Sequence, residues 1–255
     1  MKSLHYTEII FYKAWSVLKS ECGRTVGGAL WWFVDPLLSI VIYYIAFGLI
    51  LQQGGVGFVQ TLCVGIIFWR WFQGSLTRGA GSIIMEKPLI SKVYVPKILF
   101  PVVSVLVDTF KFLVMLVVLL SFLWVSGHPP TITYWALPVL LFVQLLFIFA
   151  MVGLFAALVP FLPDLRNMLN HGLHLMFFLS GVFFSVDQIQ SEKLRQVMML
   201  NPMVGLIAAY RRVLLENQWP EWSYMFPLAF VNLGGVLCVG YLLRRFDRVY
   251  PKIMS

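Results

Sequence analysis

The sequence predicts an all-α integral membrane protein with six spanning helices per chain. Hydrophobic residues make up 60% of the 255 positions and charged residues only 12%, against roughly 25% charged in soluble domains. Mean hydropathy is +0.85. Six apolar runs, at about 28–51, 57–77, 98–126, 132–159, 167–186 and 223–243, reach or approach the roughly 20 residues that a helix needs to cross the hydrocarbon core.

The same composition excludes other classes. A net charge of +8 suits nucleic acid only when the cations cluster on a soluble face, and here they punctuate the gaps between apolar runs. Cys22, Cys63 and Cys238 form no CxxC pair, so neither a disulfide frame nor a zinc site is indicated. The first twenty residues lack a continuous apolar core followed by a small-residue cleavage site, and no removable signal peptide is expected. No phosphate-cradling GxxxxGK[ST], GxSxG elbow or HExxH occurs. No catalytic residue, metal site or cofactor is therefore assigned to this chain, and any energy source must lie in another one.

In chain order, Leu4, Phe11, Trp15, Leu18 and Cys22 share one helical face opposite Lys2, Lys13 and Ser20, the pattern of an interfacial helix over 1–24. Ile9 and Glu8 fall out of that pattern, and a plain lead-in helix also fits. An even number of crossings puts both termini on one side. Lys2, Lys13, Lys19 and Arg24 precede the first span, and Arg70, Arg78, Lys87, Lys92 and Lys97 border the second gap. Arg166 lies in the fourth gap, and Arg244, Arg245, Arg248 and Lys252 close the chain. The short connections 52–56 and 127–131 contain no Lys or Arg, while Lys193, Arg195, Arg211 and Arg212 sit among Asp187, Glu192, Glu216 and Glu221. The positive-inside rule then makes the termini cytoplasmic.

The segment 81–101, GSIIMEKPLISKVYVPKILFP, mixes charge, proline and hydrophobe between two apolar runs. Glu86, Lys87, Lys92 and Lys97 would each cost roughly 2.5–3.5 kcal/mol in hydrocarbon, so the segment must emerge. A short amphipathic helix over 81–86, halted by Pro88, would offer apolar residues to a partner, with Pro96 and Pro101 breaking any second helix. A loop lying on lipid fits equally well. Within span three, Asp108 and Lys111 are three residues apart and read as a mutually neutralised pair, or else as part of a pathway. Asp35, beside Pro36, lies where headgroups can hydrate it. His171 and His174 share a face without a third ligand, which favours polar packing in a water-accessible lumen over metal binding. The stretch 198–215, MMLNPMVGLIAAYRRVLL, is too interrupted to span and too apolar to float, with Pro202 opening a helix and Arg211 and Arg212 closing it. With a polar helix at 187–197 it forms a hairpin in the outer leaflet, either a gate or an inert surface element.

These residues carry a family resemblance. Arg24, Gly28, Leu30, Trp31, Asp35, Pro36, Leu37 and Leu38 resemble the entry to span one in the permease subunits of bacterial ABC-2 type exporters of O-antigen, capsular polysaccharide and teichoic acid. GIIFWRWF, from Gly65 to Phe72, is similar to their Gly-x-x-Pro-Trp-x-x-Phe pattern, with Phe68 in place of proline. KVYVPKILFP, Lys92 to Pro101, resembles the segment after their coupling helix. FLPDLR, Phe161 to Arg166, resembles a Phe-Phe-Arg-Asp-hydrophobe turn, with Pro163 in place of arginine. Asn201, Pro202 and Met203, then Tyr210 and Arg211, resemble the block in their external gate helices.

The resemblance implies a single transmembrane domain over 1–255, with an interface helix at 1–24, a coupling helix at 81–92 and external gate helices at 187–216. It implies a homodimer of this chain enclosing the channel and two separate ATPase subunits, which bind ATP and Mg, docked beneath. Ile84, Met85, Glu86, Lys87, Pro88 and Leu89 would carry the coupling contact. Asn201, Pro202, Tyr210 and Arg211 would form the gate. The substrate would be a lipid-linked polysaccharide crossing the bacterial cytoplasmic membrane. Sugar rings stack their C–H faces on aromatic rings, so Trp31, Trp32, Phe33, Trp69, Trp71, Phe72, Phe177, Phe178, Phe183 and Phe184 are candidates for the glycan path, although Trp and Tyr also anchor span ends. A teichoic acid or other glycolipid exporter is the nearest alternative. A secondary transporter would show repeats and midplane charge pairs, and a membrane enzyme would need converging carboxylates or histidines.

Overall fold

The computed structural model describes residues 2–24, 27–50, 52, 55, 57–184 and 191–254, apart from the side chains of 2–5, 24, 252 and 254. Within these residues the chain is helical throughout. Helix α1 (Lys2–Arg24) leads through a tight turn, Gly28–Leu30, into α2 (Trp31–Tyr43), which widens to a π-helical end, Tyr44–Ile50. Then follow α3 (Phe58–Ala80), the one-turn helices α4 (Ser82–Met85) and α5 (Lys87–Ile90), α6 (Leu99–Val125), a 3-10 turn Ile132–Ala136 and α7 (Leu137–Leu158). The second half holds α8 (Leu165–Leu179), α9 (Glu192–Met199), α10 (Pro202–Leu214), α11 (Trp222–Arg245) and α12 (Tyr250–Met254).

Helix α3 is the axis of the bundle. It packs against α2, α6, α7, α8 and α10, and Leu62, Val64, Ile66, Phe68, Trp69 and Leu76 are buried in the main core. Apolar burial cannot drive helices together in lipid, so close approach over small residues takes its place. A Cβ at Gly153 would collide with Val239, and one at Gly235 would lie 3.1 Å from Ala150 Cβ, which is how α11 seats on α7.

Four stretches among the described residues are long and apolar enough to cross a membrane: Gly28–Ile50, Leu99–Val125, Ile132–Leu158 and Trp222–Arg245. The six expected spans are thus not reached by length and hydropathy. Helix α3 has the length, with 23 residues, but Gln60, Arg70, Gln73 and Arg78 dilute it. Helix α8 stops at Leu179 rather than 186, after 15 residues. The pair α9 and α10 is bent by 98° and makes a fifth candidate if taken as one broken span.

Several local expectations change. Pro88 does not halt a helix: it lies at the start of α5, where its missing N–H costs nothing. Pro101 likewise sits in the first turn of α6 instead of breaking a helix before it. Arg70 lies near the middle of α3, not at the border of the following gap. The predicted polar helix at 187–197 begins at Glu192, and residues 185–190 fall outside the described part.

Candidate functional site

One end of the bundle gathers α1, the α3–α6 link, the α7–α8 turn and the chain end. There the segment 82–90, expected to be the coupling helix, is pinned by its buried residues. Ile83 and Ile90 are buried with Phe100, Ala156, Ala157, Val239, Leu243 and Tyr250, whereas Met85 is 63% and Leu89 37% exposed. Ile84 is half-buried and packs against the main core. Its flank is tied to α1 by Lys13 Nζ to Glu86 Oε2 at 2.7 Å. Glu86 is half-buried, and Lys87 and Pro88 are exposed.

The chain end closes the other flank. Asp247 accepts from Tyr94 Oη at 2.7 Å and from the Lys97 backbone N–H at 2.8 Å, and faces the buried Lys97 Nζ at 3.9 Å. The hydrogen bond to Asp247, and then its charge, raise the Tyr94 phenol above its ordinary value. Tyr250 is fully buried and donates to Ala157 O at 3.4 Å. Burial and then Asp247 push it up to about 12.

The expected pair Asp108 and Lys111 is present at 3.8 Å, but each has a nearer partner. Arg78 Nε donates to Asp108 at 2.9 Å and Arg78 Nη1 to Glu21 at 2.6 Å, while Lys111 Nζ meets Glu21 at 2.5 Å. A four-member network therefore joins α1, α3 and α6. Burial alone would raise the Glu21 carboxyl, but Lys111 and Arg78 outweigh it and hold it below the ordinary carboxylate value.

The opposite end is organised around the α9–α10 hairpin. Asn201 caps α10, accepting from the Met203 N–H at 3.1 Å, and donates to Ser180 Oγ at 2.8 Å. Pro202 follows at the first helical position. Arg211 is buried and donates to Gly181 O, Phe184 O, Thr61 O and Val182 O at 2.7–3.2 Å. A Cβ at Gly65 would lie 3.1 Å from both Arg211 Nη2 and Val182 Cα, so the glycine of GIIFWRWF is what admits the guanidinium. Tyr210 is fully buried and stacks on Phe68 with centroids 3.5 Å apart.

The aromatic candidates separate into three places. Trp69, Phe177, Phe178 and Phe183 join Tyr43 and Phe47 in one cluster with centroids 4.6–5.8 Å apart. Phe72 stacks on Phe147 at 5.0 Å beside it. Trp71 is taken up in the α3–α6 seam, stacked on Phe112 at 4.1 Å and bonded to Thr109 Oγ1. Trp32 lies at the other end, edge-on to Phe110 at 6.5 Å, near the half-buried Phe33. Phe184 contributes its carbonyl to Arg211. Next to the cluster, Trp69, Phe72, Phe147, Phe155, Leu165 and Met176 help to line an apolar groove of about 730 Å³ between α3, α7, α8 and the hairpin. His171 and His174 are exposed on α8, and among the described residues no three potential ligands converge on a metal position.

A family model described as ABC-2 type transporter matches residues 11–215. The chain belongs to the ABC-2 type transporter family. It is 29% identical to the O-antigen export system permease protein RfbA of Klebsiella pneumoniae over 91% of each chain. It is 30% identical to the protein of that name in Myxococcus xanthus, over 85% of this chain and 84% of the relative. The polysialic acid transport protein KpsM of Escherichia coli is 22% identical over 89% of both.

This ABC-2 type transporter is a multi-pass membrane protein, and its two departures from the expected motifs have local consequences. Phe68, in place of proline, supplies the ring on which Tyr210 stacks. Pro163 lies in the turn into α8, beside Phe161, whose ring meets Tyr250 at 5.6 Å. Sequence reasoning missed Glu21, Arg78 and Asp247 as site residues. Only the excess of buried polar function over local partners could have pointed to them.

Proposed function

We propose that this chain is the channel-forming permease of an ATP-driven exporter that moves a lipid-linked polysaccharide, of O-antigen or capsule type, across the bacterial cytoplasmic membrane. The observation that carries the reading is the end-to-end likeness to permeases named for O-antigen export, at 29% identity over 91% of both chains. The structure supports it with an exposed apolar turn at the coupling segment and an apolar, aromatic-rimmed groove. Two copies of the chain face each other across that groove, and α3 and α8 complete six spans per copy. The aromatic cluster around Phe177 and Phe183 offers stacking surface to sugar rings without a tight site.

Two ATPase subunits bind ATP and Mg and grip Met85 and Leu89 from the cytoplasm, where the positive-inside rule also puts both termini. Asn201, Pro202, Tyr210 and Arg211 gate the outer mouth. Deleting the chain from its host should abolish surface polysaccharide while lipid-linked glycan accumulates on the cytoplasmic side, and re-expression should restore export. Normal surface polysaccharide in the deletion strain would end the reading.

A further inference from the structure

Arg70 is a charge inside a long apolar helix to which none of the foregoing gives a role. It lies near the middle of α3, which the exporter reading makes a span, and an ionisable side chain inside a span marks a functional site by default. Its one hydrogen bond among the described residues goes from Nη2 to Ser39 Oγ at 2.5 Å, and Ser39 itself donates back to Asp35 O. A guanidinium carries five N–H donors, so most of its capacity is unspent. The neighbouring cations differ: Arg78 and Lys111 are taken up by Glu21 and Asp108.

Arg70 opens onto a pocket of about 350 Å³ between α2, α3 and α6, shared with Trp31, Trp32 and Asp35 and walled on its far side by the paired Arg78, Asp108 and Lys111. The volume falls within the range of ligand sites. A planar guanidinium is matched to a phosphate by paired N–H donors. A carboxylate such as Asp35 repels a bare phosphate but accepts hydrogen bonds from hydroxyls, and the Trp31 and Trp32 rings suit the C–H face of a sugar. With Arg78, Lys111 and Asp108 engaged in their own network, Arg70, Asp35 and the indole rim fit a sugar phosphate better than a lipid phosphate without sugar.

We propose that this pocket receives the phosphorylated head of the lipid-linked substrate, with Arg70 holding the phosphate and Asp35, Trp31 and Trp32 holding the first sugar. The proposal rests on the exporter reading above and names the part of the substrate recognised before the glycan enters the path.

The test is titration of the full chain, assembled with its ATPase in nanodiscs. The probes are a polyprenyl diphosphate bearing one N-acetylglucosamine, the same diphosphate without sugar, and phosphatidylglycerol. The sugar-bearing probe should bind most tightly, with phosphatidylglycerol at least tenfold weaker. Arg70→Gln should weaken the sugar-bearing probe tenfold or more, Arg70→Lys less, and Trp31→Ala should lower its advantage over the sugar-free diphosphate. If Arg70→Gln does not elute as folded protein, the lysine and Trp31 variants decide. Wild-type affinity in the variants overturns the proposal, as does phosphatidylglycerol binding as tightly as the sugar-bearing probe. Those failures leave the exporter reading standing. Absence of binding by wild type to either polyprenyl probe would count against both.

Discussion

The two ends of the bundle hold their helices together by different chemistry. At the end that holds α4 and α5, the proposed coupling end, contacts run between ionised side chains: Lys13 with Glu86, Arg78 and Lys111 with Glu21 and Asp108, and Lys97 with Asp247. At the hairpin end Arg212 pairs with Glu221 at the surface, but the buried cation Arg211 has no carboxylate hydrogen-bond partner among the described residues and instead serves four backbone carbonyls. Apart from the buried Lys97 with Asp247, and Arg78 with the buried Asp108, these pairs join partly exposed groups, and such pairs are individually weak and sensitive to salt and pH. A buried guanidinium bonded to backbone has no such sensitivity, and its removal orphans every acceptor at once. The coupling end is therefore adjustable, and the hairpin end is fixed.

The strongest way to break this contrast is Arg211→Met. Four carbonyls lose a charged donor, so the loss of stability should be on the order of 3 kcal/mol or more, read as the disappearance of monodisperse protein on mild heating in detergent. A variant as stable as wild type would show that the hairpin is held by apolar packing alone.

Next in size is the pair Met85→Asp with Leu89→Asp. Both side chains are exposed, so the permease should fold and insert at its normal level. Recovery of the ATPase with it should fall at least tenfold, because carboxylates are costly to bury in an interface. Equal recovery per permease would place ATPase docking elsewhere.

A middling effect is expected of Asp247→Asn. The buried Lys97 loses its facing charge, which should cost about 2 kcal/mol, and Lys97→Met in the same chain should recover part of it. Additive losses in the double variant would mean that the two residues act independently.

The smallest effect is a pH dependence. Glu21 has its folded pKa held below the ordinary value, so the unfolded state binds its proton first as pH falls. The Glu21 contribution is fully present above the unfolded carboxylate value and is lost as pH drops through the lower folded one. Thermal stability compared with Glu21→Gln should converge in that acid window and diverge above it. Parallel profiles at every pH would remove Glu21 from the network.

The helices were legible wherever periodicity or apolar length carried the signal. Span three, expected at 98–126, is α6 at Leu99–Val125, and Asn201 with Pro202 opens α10 as read. Helix α3, expected as a span at 57–77, has the length but falls short by hydropathy, because its polar residues Arg70 and Arg78 point into contacts with α2, α1 and α6 that no local window registers. Pro101 was misread for another reason: proline ends a helix from within but is tolerated in its first turn.

The sequence by itself determined the membrane class, the helical makeup and the resemblance to the family that the comparison then established. Those properties live in composition and in spacings of three or four residues along one helix. Only the tertiary structure decided which charges meet. Arg78 bonds Glu21 across 57 residues of chain, Tyr94 bonds Asp247 across 153, and Arg211 reaches Thr61 across 150. Partners at such separations are chosen by how helices pack, and the chain between them carries no periodic trace of the choice.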